Sequence, residues 1–196
     1  MKRIFDFAIA LISLIILSPF LVLIGILIKL NGYGPVLFKQ MRVGKDGKLF
    51  RLYKLCTMRV SKSSEQGSFE PGDLSRITRT GRILRKAKID ELPQLINVLK
   101  GDMSLVGPRP EVEKWIAAYP ERWKLVLTVK PGITDNSSVV FRNEEYHLAE
   151  SDDPEKTYKD VILPKKLDLY TDYVLNNSFY GDLKILFKTL YSVLFK

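Results

Sequence analysis

The segment Lys88–Glu111 reads KIDELPQLINVLKGDMSLVGPRPE, and the rest of the chain is read outward from it. Leu92, Leu95, Ile96 and Leu99 recur at i, i+3, i+4 and i+7, the spacing of one apolar helix face. Pro93 has no N–H to donate and fits only a first turn, so the spacing predicts a helix that begins near Asp90. Gly101, after Lys100, is its expected stop. Asp90 and Glu91 are then expected at the positive end of a helix dipole, where phosphates also bind. A plainer reading makes Asp90 an N-cap and Glu91 a favourable first-turn charge. The neighbours favour chemistry. Arg76, Arg79, Arg82, Arg85, Lys86 and Lys88 precede the pair, and Arg109 follows it. Carboxylates inside a ring of cations suit phosphoryl transfer, where charge neutralisation and positioning supply most of the catalysis.

Arg109 sits between Pro108 and Pro110, which fix φ on either side and hold the arginine in an extended, low-entropy pose. Such a pose suits bidentate contact with phosphate, or equally a structural pairing with Asp90, Glu91 or Glu111. Ser75–Lys88 reads as a basic helix whose arginines at every third position drift around it, so some must be solvated or lipid-facing. Arg85, five residues before Asp90, is the one singled out.

The 196 residues suffice for one domain with an appendage and a real core. A net charge of +9 favours nucleic acid, anionic lipid or phosphorylated ligands. No RNA- or DNA-binding motif and no interleaved stacking aromatics accompany that charge, which argues against a nucleic-acid partner. The single Cys56 excludes an intrachain disulfide framework. The single His147 excludes a histidine-rich metal site and receives no role. There are no internal repeats.

From Phe7 to Ile28 no side chain is charged. As a helix the run is roughly 33 Å long, enough to cross a bilayer core of about 30 Å. A cleaved signal peptide fits least, since the run is long and no small-residue cleavage site follows. A single spanning helix and a re-entrant hairpin bent at Ser18-Pro19 both fit. Lys2 and Arg3 before the run, with Lys29, Lys39, Arg42 and Lys45 after it, pull both ends to the cytoplasm. Proline breaks the backbone ladder, and the Ser18 hydroxyl can satisfy a freed carbonyl. Unpaired backbone in lipid is costly, so charge and proline alone leave both topologies open.

Val36–Phe38 and Leu49–Met58 flank a polar Gly44–Gly47 turn and read as a β-hairpin. Ser61–Asp73 is expected to be a surface loop, either a connector or a lid over substrate. A helix is expected over Glu111–Tyr119, ended by Pro120, and a turn at Pro131-Gly132. The acidic segment Glu144–Asp160 contains a helix start at Ser151–Glu155. Ser178–Lys196 is apolar on most of its circumference, with Asp182, Lys184 and Lys188 opposing insertion across a membrane. An interfacial helix and a core helix both fit it.

Lys2-Arg3-Ile4-Phe5-Asp6, Ser18-Pro19, Tyr53-Lys54 with Thr57-Met58, Asp90-Glu91-Leu92, Asn97–Ser104, Val106–Pro110 and Lys130–Thr134 stand in one order. Together they resemble the bacterial sugar transferase family of polyprenyl-phosphate phosphoglycosyl transferases, in particular its small monotopic branch. The resemblance is close over Met1–Thr134 and loose from Leu167 to Lys196. It implies an α+β, mostly helical fold: a re-entrant membrane helix-break-helix over 1–30, bent at Ser18-Pro19, and a cytosolic catalytic domain over 31–196 with a small β-hairpin and interfacial amphipathic helices. It implies transfer of a sugar phosphate from a UDP-sugar to a polyprenyl phosphate, with release of UMP, on the cytoplasmic face of the bacterial inner membrane. Asp90 would be the nucleophile on the sugar-linked phosphorus, forming a covalent intermediate, and Glu91 would assist through metal or proton transfer. Mg²⁺ is the implied cofactor, held by Asp90 and Glu91. Arg85 and Arg109 would hold phosphates, Lys54 and Arg142 join them as substrate contacts, and a homodimer is allowed.

Two positions depart from the family pattern. Cys56 stands where a basic residue is usual. After Thr134 the chain reads Asp135-Asn136-Ser137-Ser138-Val139-Val140-Phe141-Arg142-Asn143 in place of a Gly-Trp-Ala-Gln-Val-Asn-Gly-Arg-Asn-like run. The departure touches nucleotide and sugar recognition and leaves the phosphoryl chemistry intact. Two other classes compete with the transferase: a membrane-tethered basic binding module without catalysis, and a single-pass scaffold. Release of nucleoside monophosphate separates the first from both.

Overall fold

A computed structural model describes residues 1–31, 34–59 and 75–195. The surface loop expected over Ser61–Asp73 lies outside the described residues. The chain begins with α1 (Lys2–Leu30), a single helix long and apolar enough to cross a membrane. Its helical backbone continues through Ser18 and Pro19, so the helix does not break there. The reason is local. Pro19 cannot donate to the Ile15 carbonyl four residues back, and the Ser18 hydroxyl donates to that carbonyl instead, at 2.9 Å.

One stripe of α1 packs along the globule while the opposite face, including Ile12, Ile15, Ile16, Val22 and Leu23, is exposed. Both ends are fastened to the same body. At the start, Lys2 Nζ donates to the Val106 carbonyl at 3.1 Å and pairs with Asp182. Arg3 donates to the carbonyls of Val98 and Leu99, and buried Asp6 accepts from Ser104 Oγ at 2.7 Å. At the other end, Ile24 and Ile28 pack with Leu55, Cys56 and Leu84, and Asn31 Nδ2 donates to Thr80 Oγ1 at 2.9 Å.

The expected hairpin is present as β1 (Leu37–Val43) and β2 (Leu49–Leu55), antiparallel with Val43 opposite Leu49. Asp46 and Gly47 turn the chain between them with positive φ. Next come α2 (Arg79–Lys86), capped by the Thr78 hydroxyl accepting from the Gly81 N–H, and α3 (Gln94–Lys100). Gly101 ends α3 with φ 89°, as its position in the sequence requires, and a Cβ there would also meet the Arg3 guanidinium at 3.3 Å.

Beyond the dyad the chain departs from expectation twice. The helix expected over Glu111–Tyr119 is α4 (Glu113–Ala118), and Pro120 opens a second helix, α5 (Pro120–Val126), as its N1 residue. Pro131-Gly132 is not a turn. Instead β3 (Ser104–Val106) and β4 (Gly132–Thr134) pair in parallel, with Ser104 opposite Gly132. The crossing is so close that a Cβ on Gly132 would lie 2.1 Å from the Gly107 nitrogen, and one on Gly107 would lie 2.5 Å from the Lys130 carbonyl oxygen. Two glycines are the condition for that pairing.

The remaining helices are α6 (Asn136–Val140), α7 (Glu144–Ala149), α8 (Pro154–Thr157), α9 (Leu163–Asn176) and α10 (Phe179–Phe195). Asp153 caps α8 by accepting from the Lys156 N–H, with Pro154 at its first position, as the acidic segment predicts. One core joins Ala10 of α1 to Phe50, Leu52, Leu95, Val98, Met103, Leu105 and Ile185. A second is built on Trp115, Trp123, Tyr158, Leu163, Leu167 and Tyr170. Helix α10 packs on the core along one side only. Ile185 is buried, while Phe187, Leu190, Tyr191 and Phe195 form an exposed apolar face.

Gly132→Ala is expected to destabilise by about 3 kcal/mol or more, because backbone must move to admit the methyl group. The thermal midpoint of the purified protein in detergent should fall by roughly 6 °C or more. An unchanged midpoint would mean that β3 and β4 do not cross as described.

Candidate active site

The dyad precedes α3 rather than opening it. Lys88 turns the chain with φ 55°, Ile89–Glu91 form a single 3₁₀ turn, and Leu92 and Pro93 carry helical backbone into Gln94. Pro93 occupies the N-cap position and no side chain caps α3, so Asp90 is not the N-cap. The three residues before α3 are thereby free to turn both carboxylates inward, and Asp90 and Glu91 are each buried. Asn97, fully buried, ties α3 to the hairpin. Its Oδ1 accepts from the Tyr53 N–H at 3.1 Å and its Nδ2 donates to the Arg51 carbonyl at 2.7 Å. This fixes β2, and hence Lys54, against the dyad.

The two carboxylates have opposite surroundings. Glu91 Oε1 lies 2.9 Å from Lys54 Nζ, and Arg109 grips both Glu91 oxygens, one Nη donating to each, with Nη1 3.3 Å from Oε2. Burial alone would push the Glu91 carboxyl up, but Arg109 and Lys54 outweigh it and hold it well below the usual carboxylate range. In return, Glu91 raises the Arg109 guanidinium further above its ordinary value. Asp90 is the reverse case. Burial and the adjacent Glu91 charge raise its carboxyl, against the pull of Lys54, Arg85 and Lys88. Its Oδ1 is buried without a hydrogen-bond partner among the described residues. An anion desolvated and unpaired in this way is a reactive one.

Every charged residue assigned to the site from sequence lines one cavity of about 900 Å³: Lys54, Arg85, Asp90, Glu91, Arg109 and Arg142. All four cations are already engaged, Lys54 with Glu91 as described. Arg109 braces Glu91, Arg85 pairs with Glu145 of α7, and Arg142 donates to the Ser192 carbonyl and to Ser192 Oγ at 3.1 Å. The cavity also exposes groups that the sequence did not single out: Gln40, Arg42, Tyr158, Glu144 and Lys166. One signal for them existed. Lys166 falls on the apolar i, i+3, i+4, i+7 face of α9 defined by Leu163, Leu167 and Tyr170, where a charge has no packing reason to be.

The described residues hold no cluster of three or more metal-ligating side chains, which excludes an all-protein cage among them. Mg²⁺ needs less. It is commonly held by one or two carboxylates together with waters and substrate phosphates. The unpartnered Asp90 Oδ1 beside Glu91 fits that donor set, with Asp90 carrying the spare capacity and Glu91 largely committed to its two cations.

The different surroundings predict opposite responses to neutralisation. A buried carboxyl whose pKa is raised by folding costs stability fully above the folded pKa, and not at all below the unfolded one. Asp90→Asn should therefore raise the thermal midpoint at neutral pH in EDTA, and the gain should shrink as the pH falls and Asp90 takes up a proton. Glu91→Gln strands Lys54 and Arg109 and should cost about 3 kcal/mol. Thermal melts of both variants across pH check the pair, and a destabilised Asp90→Asn would contradict the assignment.

The sequence model of the family described as bacterial sugar transferase matches residues 1–196. The chain is 41% identical over 194 residues to the uncharacterized sugar transferase EpsL of Bacillus subtilis (strain 168), covering 99% of this chain and 87% of that protein. It is 38% identical over 197 residues to the UDP-N-acetylgalactosamine-undecaprenyl-phosphate N-acetylgalactosaminephosphotransferase of Aeromonas hydrophila, covering 98% of this chain and 43% of that one. It is 34% identical over 194 residues to the UDP-glucose:undecaprenyl-phosphate glucose-1-phosphate transferase of Escherichia coli (strain K12), covering 97% and 39%. The chain thus spans about two-fifths of the length of the latter two proteins. With a profile matched from end to end and an Asp-Glu pair set among cations in one cavity, the chain belongs to the bacterial sugar transferase family.

Proposed function

We propose that the chain is a phosphoglycosyl transferase that moves a sugar phosphate from a UDP-sugar to a polyprenyl phosphate and releases UMP. The observation that carries this reading is Asp90, a buried carboxylate with an unpartnered oxygen, set in a large cavity among Lys54, Arg85, Lys88 and Arg109. The printed activities of the Aeromonas and Escherichia relatives support the substrate classes.

The chemistry proceeds in two half-reactions. An Asp90 oxygen attacks the phosphorus that bears the sugar, a new O–P bond forms, and the P–O bond to UMP breaks. A phosphate oxygen of the polyprenyl phosphate then attacks the same phosphorus, the acyl-phosphate bond breaks, and Asp90 returns as a carboxylate. Glu91, held ionised, is a poor proton carrier, and its work is to orient Lys54 and Arg109 toward the diphosphate. Mg²⁺, held by Asp90 and Glu91, would supply further neutralisation of the phosphate charge. Arg85 would exchange Glu145 for a substrate phosphate.

In the same reading α1 is inserted into the inner membrane from the cytoplasmic face with both ends held on that side, its continuous helix bending at Pro19, where the Ile15 carbonyl loses its backbone donor. Support comes from the attachment of Lys2, Arg3 and Asp6 at one end, and of Ile28 and Asn31 at the other, to one globule. The exposed apolar face between them would meet lipid.

Enzyme and UDP-sugar mixed without acceptor should give one burst of UMP per active site and a matching mass gain on the peptide containing Asp90. Asp90→Asn should lose the burst and reduce turnover by orders of magnitude. UMP that appears only with polyprenyl phosphate, and without an adduct, would favour direct transfer. For the topology, single cysteines near Lys2 and near Lys45, in a background lacking Cys56, should both resist a membrane-impermeant thiol reagent in intact cells. Labelling near Lys2 alone would establish a spanning helix.

A further inference from the structure

Two arms of the cavity lining differ in charge. The one on α2 and the turn after it holds Arg82, Arg85, Lys86 and Lys88, and the other holds Glu111 and Glu144 in ion pairs with Arg42 and Lys166. The second arm is a connected chain of polar groups. Arg42 Nη1 donates to Glu111 Oε2 at 3.1 Å, and the Tyr158 hydroxyl donates to Glu111 Oε1. Lys166 Nζ lies 5.0 Å from the centre of the Tyr158 ring and 2.6 Å from Glu144 Oε2. Glu111 stands two residues from Arg109, which grips Glu91 beside Asp90, so the chain begins at the reacting dyad.

Lys166 is 5% exposed and Glu144 is half-buried. Desolvating such a pair costs more than its mutual attraction usually returns, and an apolar pair would pack α7 against α9 as well. On a cavity wall, however, the pair retains hydrogen-bonding capacity: a carboxylate offers about four acceptor sites and an ammonium three donors. Adjacent sugar hydroxyls, each a donor and an acceptor, match that combination. A diphosphate does not, since the Glu144–Lys166 pair is neutral as a whole, whereas Arg82, Lys86 and Lys88 on the α2 side offer positive charge. The sugar is bonded to the phosphorus that Asp90 attacks, so with the diphosphate on the basic arm it extends along the carboxylate arm.

We infer that Glu144 and Lys166, backed by Tyr158, form the subsite that reads the hydroxyl or acetamido pattern of the hexose in a nucleoside diphosphate sugar. The inference rests on the transferase reading above and assigns it a selectivity determinant. Both residues lie C-terminal to the run Asp135–Asn143, where the chain leaves the family pattern, on helices that carry no part of the dyad.

The test compares kcat/KM for UMP release from UDP-glucose, UDP-galactose and their 2-acetamido counterparts, using the full-length enzyme with undecaprenyl phosphate and Mg²⁺. Glu144→Gln and Lys166→Gln should each change the ratio between the best sugar and its C4 epimer by about tenfold, the effect of one lost or misplaced hydrogen bond in a buried polar site. The double variant Glu144→Gln/Lys166→Gln leaves no unpaired buried charge. It should keep the wild-type thermal midpoint within a few degrees and show the same altered ratio. If all four sugars lose rate by one common factor, or the ratios stay within about twofold of wild type, the pair is structural and the inference is overturned. If the wild-type enzyme releases UMP from no nucleotide-sugar, the transferase reading itself falls, and this inference with it.

Discussion

Glu91, held between Lys54 and Arg109, is the interaction on which the site depends. It joins three segments far apart in the chain: strand β2, the 3₁₀ turn before α3, and the loop locked by Pro108 and Pro110. Each cation alone would be costly to bury, and so would Glu91. Together they neutralise one another and leave Asp90, the adjacent carboxylate, with an Oδ1 that has no hydrogen-bond partner among the described residues. Two neighbouring residues of the same charge thus acquire different properties from their surroundings. Glu91 is committed to two cations, and Asp90 is the carboxylate to which the proposed chemistry is assigned.

That arrangement depends on backbone placed to within a few tenths of an ångström. Asn97 fastens β2 to α3, and the close crossing of Gly107 and Gly132 sets where the Pro108–Pro110 loop leaves the core. The polar ties at the start of α1 reach the same region. Asp6 meets Ser104 on β3, and Lys2 meets Val106 one residue before Gly107. The apolar helix is therefore part of the scaffold that positions Arg109, and it shares one core with the elements that carry the candidate site.

Much of this was legible in sequence because the signals were local. Pro93 and Gly101 bracketed α3, the Gly44–Gly47 turn announced the hairpin, and Asp153-Pro154 marked α8. The resemblance to a family singled out Lys54, Asp90, Glu91 and Arg109 as candidates on residue types and order alone, and these residues line one cavity. What failed was non-local. Nothing near Pro131-Gly132 signals a strand, since its partner lies 28 residues upstream at Ser104 and the pairing is three residues long. Proline at 120 was read as an end when it was also a beginning, because it suits N1 as well as it breaks a helix. The expected place of Asp90 inside the first turn of α3 failed for a related reason. Lys88 adopts a left-handed backbone that its side chain does not advertise, and this inserts a separate turn before the helix.

The shared core of α1 also imposes an order in time. Helix α1 is made before the other described elements, and the partners of its polar face come much later: Ser104 for Asp6, the Val106 carbonyl for Lys2, and Asp182. During synthesis the apolar face can enter lipid at once, while Asp6 and Ala10 wait for the segments that cover them. In the proposed membrane setting the bilayer would be a temporary holder for half of a core, and the globule would complete itself against a helix already seated there.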